Sequence, residues 1–364
     1  MKTLEPLEVI MHRRSICLIT VVLLLASLLV CSCGGDATGP GEGEGDSSAV
    51  EKGEAGPGGY YWQKEYEVKL DLNDVLALDA DHVWAVGNGG IYFYDGSGWD
   101  LQYSEGDPAV MGPGDQRFWR LAAYDSTHVW AVSWWEESPT SRGGRIYFFD
   151  GDDWKVELET EEMLIDITVA AADSVWAVGN YNYENAGTLE AYAVRYMYDG
   201  EKWDKSVIDF ESYSSDTGFR SITSADKSHI WESWVHSVYF YDGSAWSEQA
   251  SDLAQNGILM GISAADANHV WSFSTGGKIY FYDGSAWSEQ GGVQEPLSDV
   301  SAYEPDRVWA ASNDGNVYLF DGSSWQLMYQ AEEALTRNFS VSAAGVDNVW
   351  AVGGYGIYHG SKEI

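Results

Sequence analysis

Beyond residue 33 the chain contains no cysteine: its three, Cys17, Cys31 and Cys33, all fall near the N-terminus. The remainder can form neither an internal disulfide nor a thiolate metal site, so packing must hold it together. Basic residues are scarce too, with Lys+Arg 20 against Asp+Glu 57 and a formal net charge of -37. Such a surface repels phosphate backbones, because nucleic-acid binding needs Lys and Arg to displace counterions. Cations and basic partners suit it better, and the excess acid also keeps an exposed protein soluble. No apolar run reaches the roughly 20 residues of a membrane span. Glycine is plentiful, at 40 residues, and aromatics make up 14% of the chain. Together they suit many short strands joined by tight turns.

The N-terminus reads as an address. Arg13 and Arg14 precede an apolar run from Ile16 to Val30, which ends in Val30-Cys31-Ser32-Cys33. A basic segment, a short apolar core and a small residue before a cut form a secretory signal. Val-Cys-Ser-Cys resembles the lipobox of bacterial lipoproteins, which implies cleavage after residue 32 and a diacylated Cys33 anchored to the membrane of a bacterial cell envelope. An uncleaved anchor or plain secretion is the competing reading. Because residues 1–10 are acidic, Met11 is a candidate start. Residues 33–59, carrying Cys33 and then Gly and acids, bury too little apolar surface to fold. As a Gly-rich coil they form a tether of about 28 Å.

From residue 60 onward the chain repeats itself. The stretch Tyr239-Phe-Tyr-Asp-Gly-Ser-Ala-Trp-Ser-Glu-Gln249 returns letter for letter at Tyr280–Gln290. Two tryptophan markers recur. The first follows Asp-x-x-His-Val or a looser version of it, at Trp84, Trp130, Trp176, Trp231, Trp271, Trp309 and Trp350. The second closes Tyr-Asp-Gly-Ser-x-Trp or its variants, at Trp99, Trp154, Trp203, Trp246, Trp287 and Trp325. A period near 40 residues with aromatics and turn signals specifies a propeller. The second marker is missing after Trp350, while a spare strand with Trp62 lies at residues 60–68. The expectation is an all-β, seven-bladed β-propeller of four-stranded antiparallel blades over residues 60–364, its ring closed by the N-terminal strand in the last blade. One apolar position recurs in the innermost strand of each blade: Val75, Leu121, Ile167, Ile222, Ile262, Val300 and Val341. The repeats are similar to tectonin-type propeller repeats, with Asp-box and WD40-like propellers as neighbours. The tectonin resemblance implies carbohydrate or protein recognition.

Residues shared by every repeat are expected to build scaffold. His82, His128, His229 and His269 each stand beside a repeated Asp at one turn position, in separate blades where metal ligands cannot converge. Candidate binding residues are those that break the repeat. Segments 133–145 and 179–193 read as long loops between the second and third strands of blades 2 and 3, and variable loops on a rigid scaffold commonly bind. Four tryptophans fall outside both markers: Trp119, Trp134, Trp135 and Trp234. Together with Tyr181 and Tyr183 they offer stacking platforms for a glycan or anchors for an envelope protein; the alternative is that they pack beneath their own loops. One step before the repeated apolar position, Asp74, Arg120, Asp166 and Asp299 are placed at the channel rim, where a calcium ion or a water network could sit. No other cofactor is indicated. A non-catalytic recognition module at the cell surface is the leading expectation. A scaffold for an envelope assembly complex, or a propeller glycosidase or lyase, are the alternatives. Sialidase chemistry needs clustered arginines, and Arg117, Arg120, Arg142, Arg145, Arg195 and Arg220 do not hold matching repeat positions.

Overall fold

The computed structural model describes residues 56–364 apart from 108, 113, 139–140, 186–187, 210–217, 255–256, 294, 331–338, 355 and 363–364. The expected signal peptide, Cys33 and most of the tether lie outside the described residues. The strands form seven four-stranded antiparallel sheets. Blades 1 to 6 take their strands consecutively, from Leu72–Ala77 in blade 1 to Trp325–Tyr329 in blade 6. Blade 7 has three C-terminal strands, Ser340–Gly345, Asn348–Gly353 and Gly356–Ser361, and is completed by Tyr61–Glu67 from the other end of the domain. The inner strand of blade 7 packs beside that of blade 1, so the ring closes as the sequence predicts.

Each sheet is covered on both faces by its neighbours, which is why the second strands are largely apolar. Val83, Trp84, Ala85 and Val86 are all fully buried, as are their counterparts in blade 2. The seven repeated apolar residues of the inner strands are buried as well. Core clusters lie between adjacent blades: Trp130 and Val132 of blade 2, for example, meet Leu164, Ile167 and Val175 of blade 3.

The repeated polar residues make local turns. His82 Nδ1 lies 2.8 Å from Asp79, and the same pairing recurs for His128, His229 and His269 with Asp125, Asp226 and Asp266. In the refrain, Asp242 Oδ1 accepts the N–H groups of Ser244 and Ala245 and the Ser244 hydroxyl, while Gly243 takes a φ of 89°. That left-handed backbone suits glycine, and an Asp that folds back on its own turn completes the hairpin signal.

The last residue of the refrain has a less obvious task. Gln249 Oε1 accepts the indole N–H of Trp231 in its own blade at 3.1 Å and of Trp287 in the next blade at 2.8 Å. Gln102 bridges Trp84 and Trp154 in the same way, at 3.2 and 2.7 Å, and Glu157 bridges Trp130 and Trp203. Between blades 1 and 2, 2 and 3, and 4 and 5 the residue three after the outer tryptophan thus clasps the two markers together, whereas Gln290 of the second refrain copy bonds Ser288 and the Trp271 and Trp325 indoles have no acceptor among the described residues.

The inner edge is stitched by a comparable rule. An innermost strand has no partner on its channel side, so alternate N–H groups need acceptors. The side chain before the repeated apolar residue of one blade accepts from that residue's N–H in the next. Asp74 takes Leu121 N at 2.9 Å, Asp166 takes Ile222 N at 2.9 Å and Asp299 takes Val341 N at 3.0 Å. One step further in, Thr223, Ser263 and Ser342 accept from Ala264, Ala302 and Ala77.

Candidate functional site

The segments read as loops in blades 2 and 3 are strands. In blade 2, His128–Ser138 pairs with Ser141–Phe149 as far as Ser138 opposite Ser141. In blade 3, Ser174–Asn185 pairs with Thr188–Tyr198 as far as Asn185 opposite Thr188. The corresponding strands of blade 5, His269–Ser274 and Ile279–Tyr282, are much shorter. Polar, Gly-rich composition suggests a loop, yet a ribbon carried on a rigid blade is held by its backbone pairing and needs no apolar alternation. Two hairpins from adjacent blades thus extend beyond their outer strands, whose last pairs are Gly144 with Thr160 and Tyr192 with Asp209.

Strand alternation divides the tryptophans that the sequence grouped together. Neighbours along a strand point to opposite faces, so Trp134 and Trp135 cannot form one platform. Trp130 and Val132 pack toward blade 3, which puts Trp134 on that side and Trp135 on the blade 1 side. Trp135 lies against Gly143, where an added Cβ would sit 3.1 Å from its Nε1; that Nε1 is buried and has no hydrogen-bond partner among the described residues. Trp134 is covered by Arg117, its cross-strand neighbour, whose guanidinium stands 4.5 Å from the ring centroid.

Across the seam, Val175 and Ala177 of blade 3 pack toward blade 2, and Tyr181 continues that face. Its ring stacks on Tyr192 at 4.7 Å, and the Arg142 guanidinium of blade 2 lies 5.7 Å from its centroid. Arg142 belongs to the same face as Trp134, since both alternate with Gly144 and Ile146 in the pairing of blade 2. Trp134, Arg117, Arg142 and Tyr181 therefore share the seam between the two extended hairpins. Beside them, Glu162 accepts hydrogen bonds from Tyr192, Tyr196 and Lys205 at 2.9, 2.8 and 2.5 Å and from Thr160. Burial opposes its charge, but these donors outweigh burial and hold it at about 2. Tyr183 sits opposite Glu190 in the same ribbon; its side chain is outside the described set.

The remaining candidates lie elsewhere. Trp119 is the extra residue of a β-bulge between Phe118 and Arg120. Trp234 is packed edge-on against Phe219 at 4.9 Å and against Tyr239 at 5.3 Å, in the seam between blades 3 and 4. That seam also holds a buried ion pair absent from the sequence reading. Arg195 Nε lies 3.0 and 2.8 Å from the two Glu232 oxygens, and its guanidinium lies 4.3 Å from the Trp246 ring centroid. Glu232 stands where six other blades have Ala or Ser (Ala85, Ala131, Ala177, Ser272, Ala310 and Ala351), a signal that aligning the repeats would have exposed.

The four rim residues do converge on the channel, but as fasteners. Besides taking the N–H groups described above, Asp74 and Asp299 both meet the Ser340 hydroxyl, at 2.9 and 2.6 Å, and Arg120 lies 3.5 Å from Asp74. A hydroxyl has one proton to give, so meeting both carboxyl groups requires a proton on one of them. Burial pushes Asp74 up to about 7 against the pull of Arg120, with Asp299 adding to the rise. Burial also raises Asp166. Among the described residues no three Asp, Glu, His or Cys side chains are grouped to hold a metal.

A closed ring of seven four-stranded blades defines a WD40-like β-propeller. No family profile matches the chain, and no curated protein matches it in sequence. Solved structures do match in fold. YCF48 bound to a D1 peptide superposes with a TM-score of 0.58 at 15% identity, covering 86% of this chain and 99% of that one. The WD40 repeats of RRP9 give 0.61 at 9% identity, with 85% and 99% covered. A catalytically inactive virginiamycin B lyase from Staphylococcus aureus, solved with quinupristin, gives 0.58 at 11% identity, with 83% and 99% covered. Identities this low carry the architecture and nothing about the site.

Proposed function

We propose that this propeller is a non-catalytic recognition module of the bacterial cell envelope, tethered through a lipid on Cys33. It binds a protein partner between the extended hairpins of blades 2 and 3. The observation that carries this reading is the seam itself. Two neighbouring blades depart from an otherwise uniform scaffold on the same side, and there they present half-buried aromatic and guanidinium groups that the ring closure does not use. YCF48 and RRP9 are propellers whose structures concern a bound peptide and WD40 repeats, which fits a protein partner in general terms. The tectonin resemblance of the repeats keeps a glycan as the alternative occupant. Capture from solubilised envelope and glycan-array screening, each run with native protein and with Trp134→Ala/Tyr181→Ala, tests the reading. It requires a ligand that the native chain retains and the double variant loses. Retention by both proteins would place recognition elsewhere. The anchor is tested by palmitate labelling, which Cys33→Ala should abolish together with membrane association.

A further inference from the structure

Resting on the seam between blades 2 and 3 as the recognition site, we propose that it selects an extended acidic peptide segment whose carboxylates are taken by Arg117 and Arg142. In a chain whose acids outnumber its bases 57 to 20, an exposed or half-buried arginine would be expected to find a carboxylate. Arg145 has Glu105 and Glu159, Arg195 has Glu232 and Arg120 has Asp74. Arg117 and Arg142 have none among the described residues. Both instead lie over aromatic rings, on Trp134 and Tyr181. Arg142 Nη2 is buried with no hydrogen-bond partner among the described residues, and a buried guanidinium donor left unmatched is costly unless something arrives to accept from it. Two carboxylates of this chain come near without filling the role. Glu136 is cross-strand from Arg142 but forms no ion pair with it, and Glu162 is saturated by Lys205 and three hydroxyl groups.

Spacing favours an extended peptide lying across the strands of blade 2, inside the seam. Arg117 and Arg142 are two strands and two residues apart in one sheet, about 12 Å between Cα atoms from sheet spacings. Carboxylates at positions i and i+4 of an extended peptide are separated by about 13 Å on one face. Planar guanidinium groups stacked on aromatics are pre-organised to grip carboxylates in this way.

The test is an array of nine-residue extended peptides varying the number and spacing of Glu, with Gln and Lys counterparts and an oligogalacturonate control, probed with the full-length chain in detergent. Bound peptides should carry paired carboxylates, i,i+4 pairs best. Measured by anisotropy, their affinity should fall about tenfold on Glu→Gln exchange. Arg142→Gln should weaken them by about as much, with Arg117→Gln added on top, and the melting temperature should stay near that of the native chain. No bound peptide, equal binding of the Gln series, stronger binding of the oligogalacturonate, or native affinity in the double arginine variant would each overturn the proposal. Loss of binding in Trp134→Ala/Tyr181→Ala with native affinity in the arginine variants would retain the seam as the site and reject carboxylate selection. Native affinity in all variants would reject both.

Discussion

Blade 5 and blade 3 are built to the same plan and serve different ends. Blade 5 holds one of the two identical copies of the refrain, and its second and third strands stop where the disc stops. Blade 3 runs the same pair of strands on to Asn185 and Thr188 and sets Tyr181 against a neighbouring blade's arginine. The repeated residues serve the scaffold: aspartates turn hairpins, Gln102, Glu157 and Gln249 clasp tryptophans, and rim carboxylates stitch inner edges. The surplus lies where the repeat was extended. Substitutions should sort accordingly, scaffold positions costing stability and seam positions costing recognition.

The largest expected effect on stability is at Glu232. Glu232→Ala strands the Arg195 guanidinium in the seam of blades 3 and 4 and should cost about 3–5 kcal/mol, as breaking a buried pair does. Chemical denaturation measures it, and a cost under 1 kcal/mol would mean the pair is dispensable. Gln102→Ala leaves the indole N–H groups of Trp84 and Trp154 without their acceptor. A loss of about 1–3 kcal/mol is expected, with partner binding unaltered. A smaller change concerns pH. Asp74 holds its proton more readily in the ring than in an unfolded chain, where aspartate titrates near ~3.9. Its stabilising contribution is therefore complete below that value and is lost as pH rises through about 7. Asp74→Asn should be less sensitive than the native chain to pH between 4 and 7 in denaturation curves. An unchanged pH profile would show that Asp74 is ionised throughout. Trp134→Ala should have the least effect on stability, about 0.5–1 kcal/mol for the lost contact with Arg117, while reducing partner binding severely. A collapse of the melting temperature would return Trp134 to the scaffold.

The ring was legible in the sequence because closure is a counting problem. Seven inner positions, seven first markers, six second markers and one spare strand with Trp62 leave a single way to complete blade 7, and Tyr61–Glu67 does so. The refrain was legible as scaffold for the same reason. The seam was read only in part. Its tryptophans stood out by breaking the repeat, but 133–145 and 179–193 read as loops because their polar, Gly-rich sequence lacks the alternation that marks a half-buried strand. Once those segments are strands, Trp134 and Trp135 must separate. The arginine partners were beyond reach, since Arg117 meets Trp134 through cross-strand register and Arg142 meets Tyr181 through the neighbouring blade. The clasping role of Gln249 was hidden too, although the residue stood in plain view at the end of the refrain.

The most direct test of the division between scaffold and seam is to trim the blade 3 ribbon. Replacing residues 182–191 by Asn-Gly closes a two-residue turn between Tyr181 and Tyr192, which are already paired. The shortened chain should melt within a few degrees of the native one and lose its partner. Unfolding of the ring, or undiminished binding by an intact ring, would contradict the division.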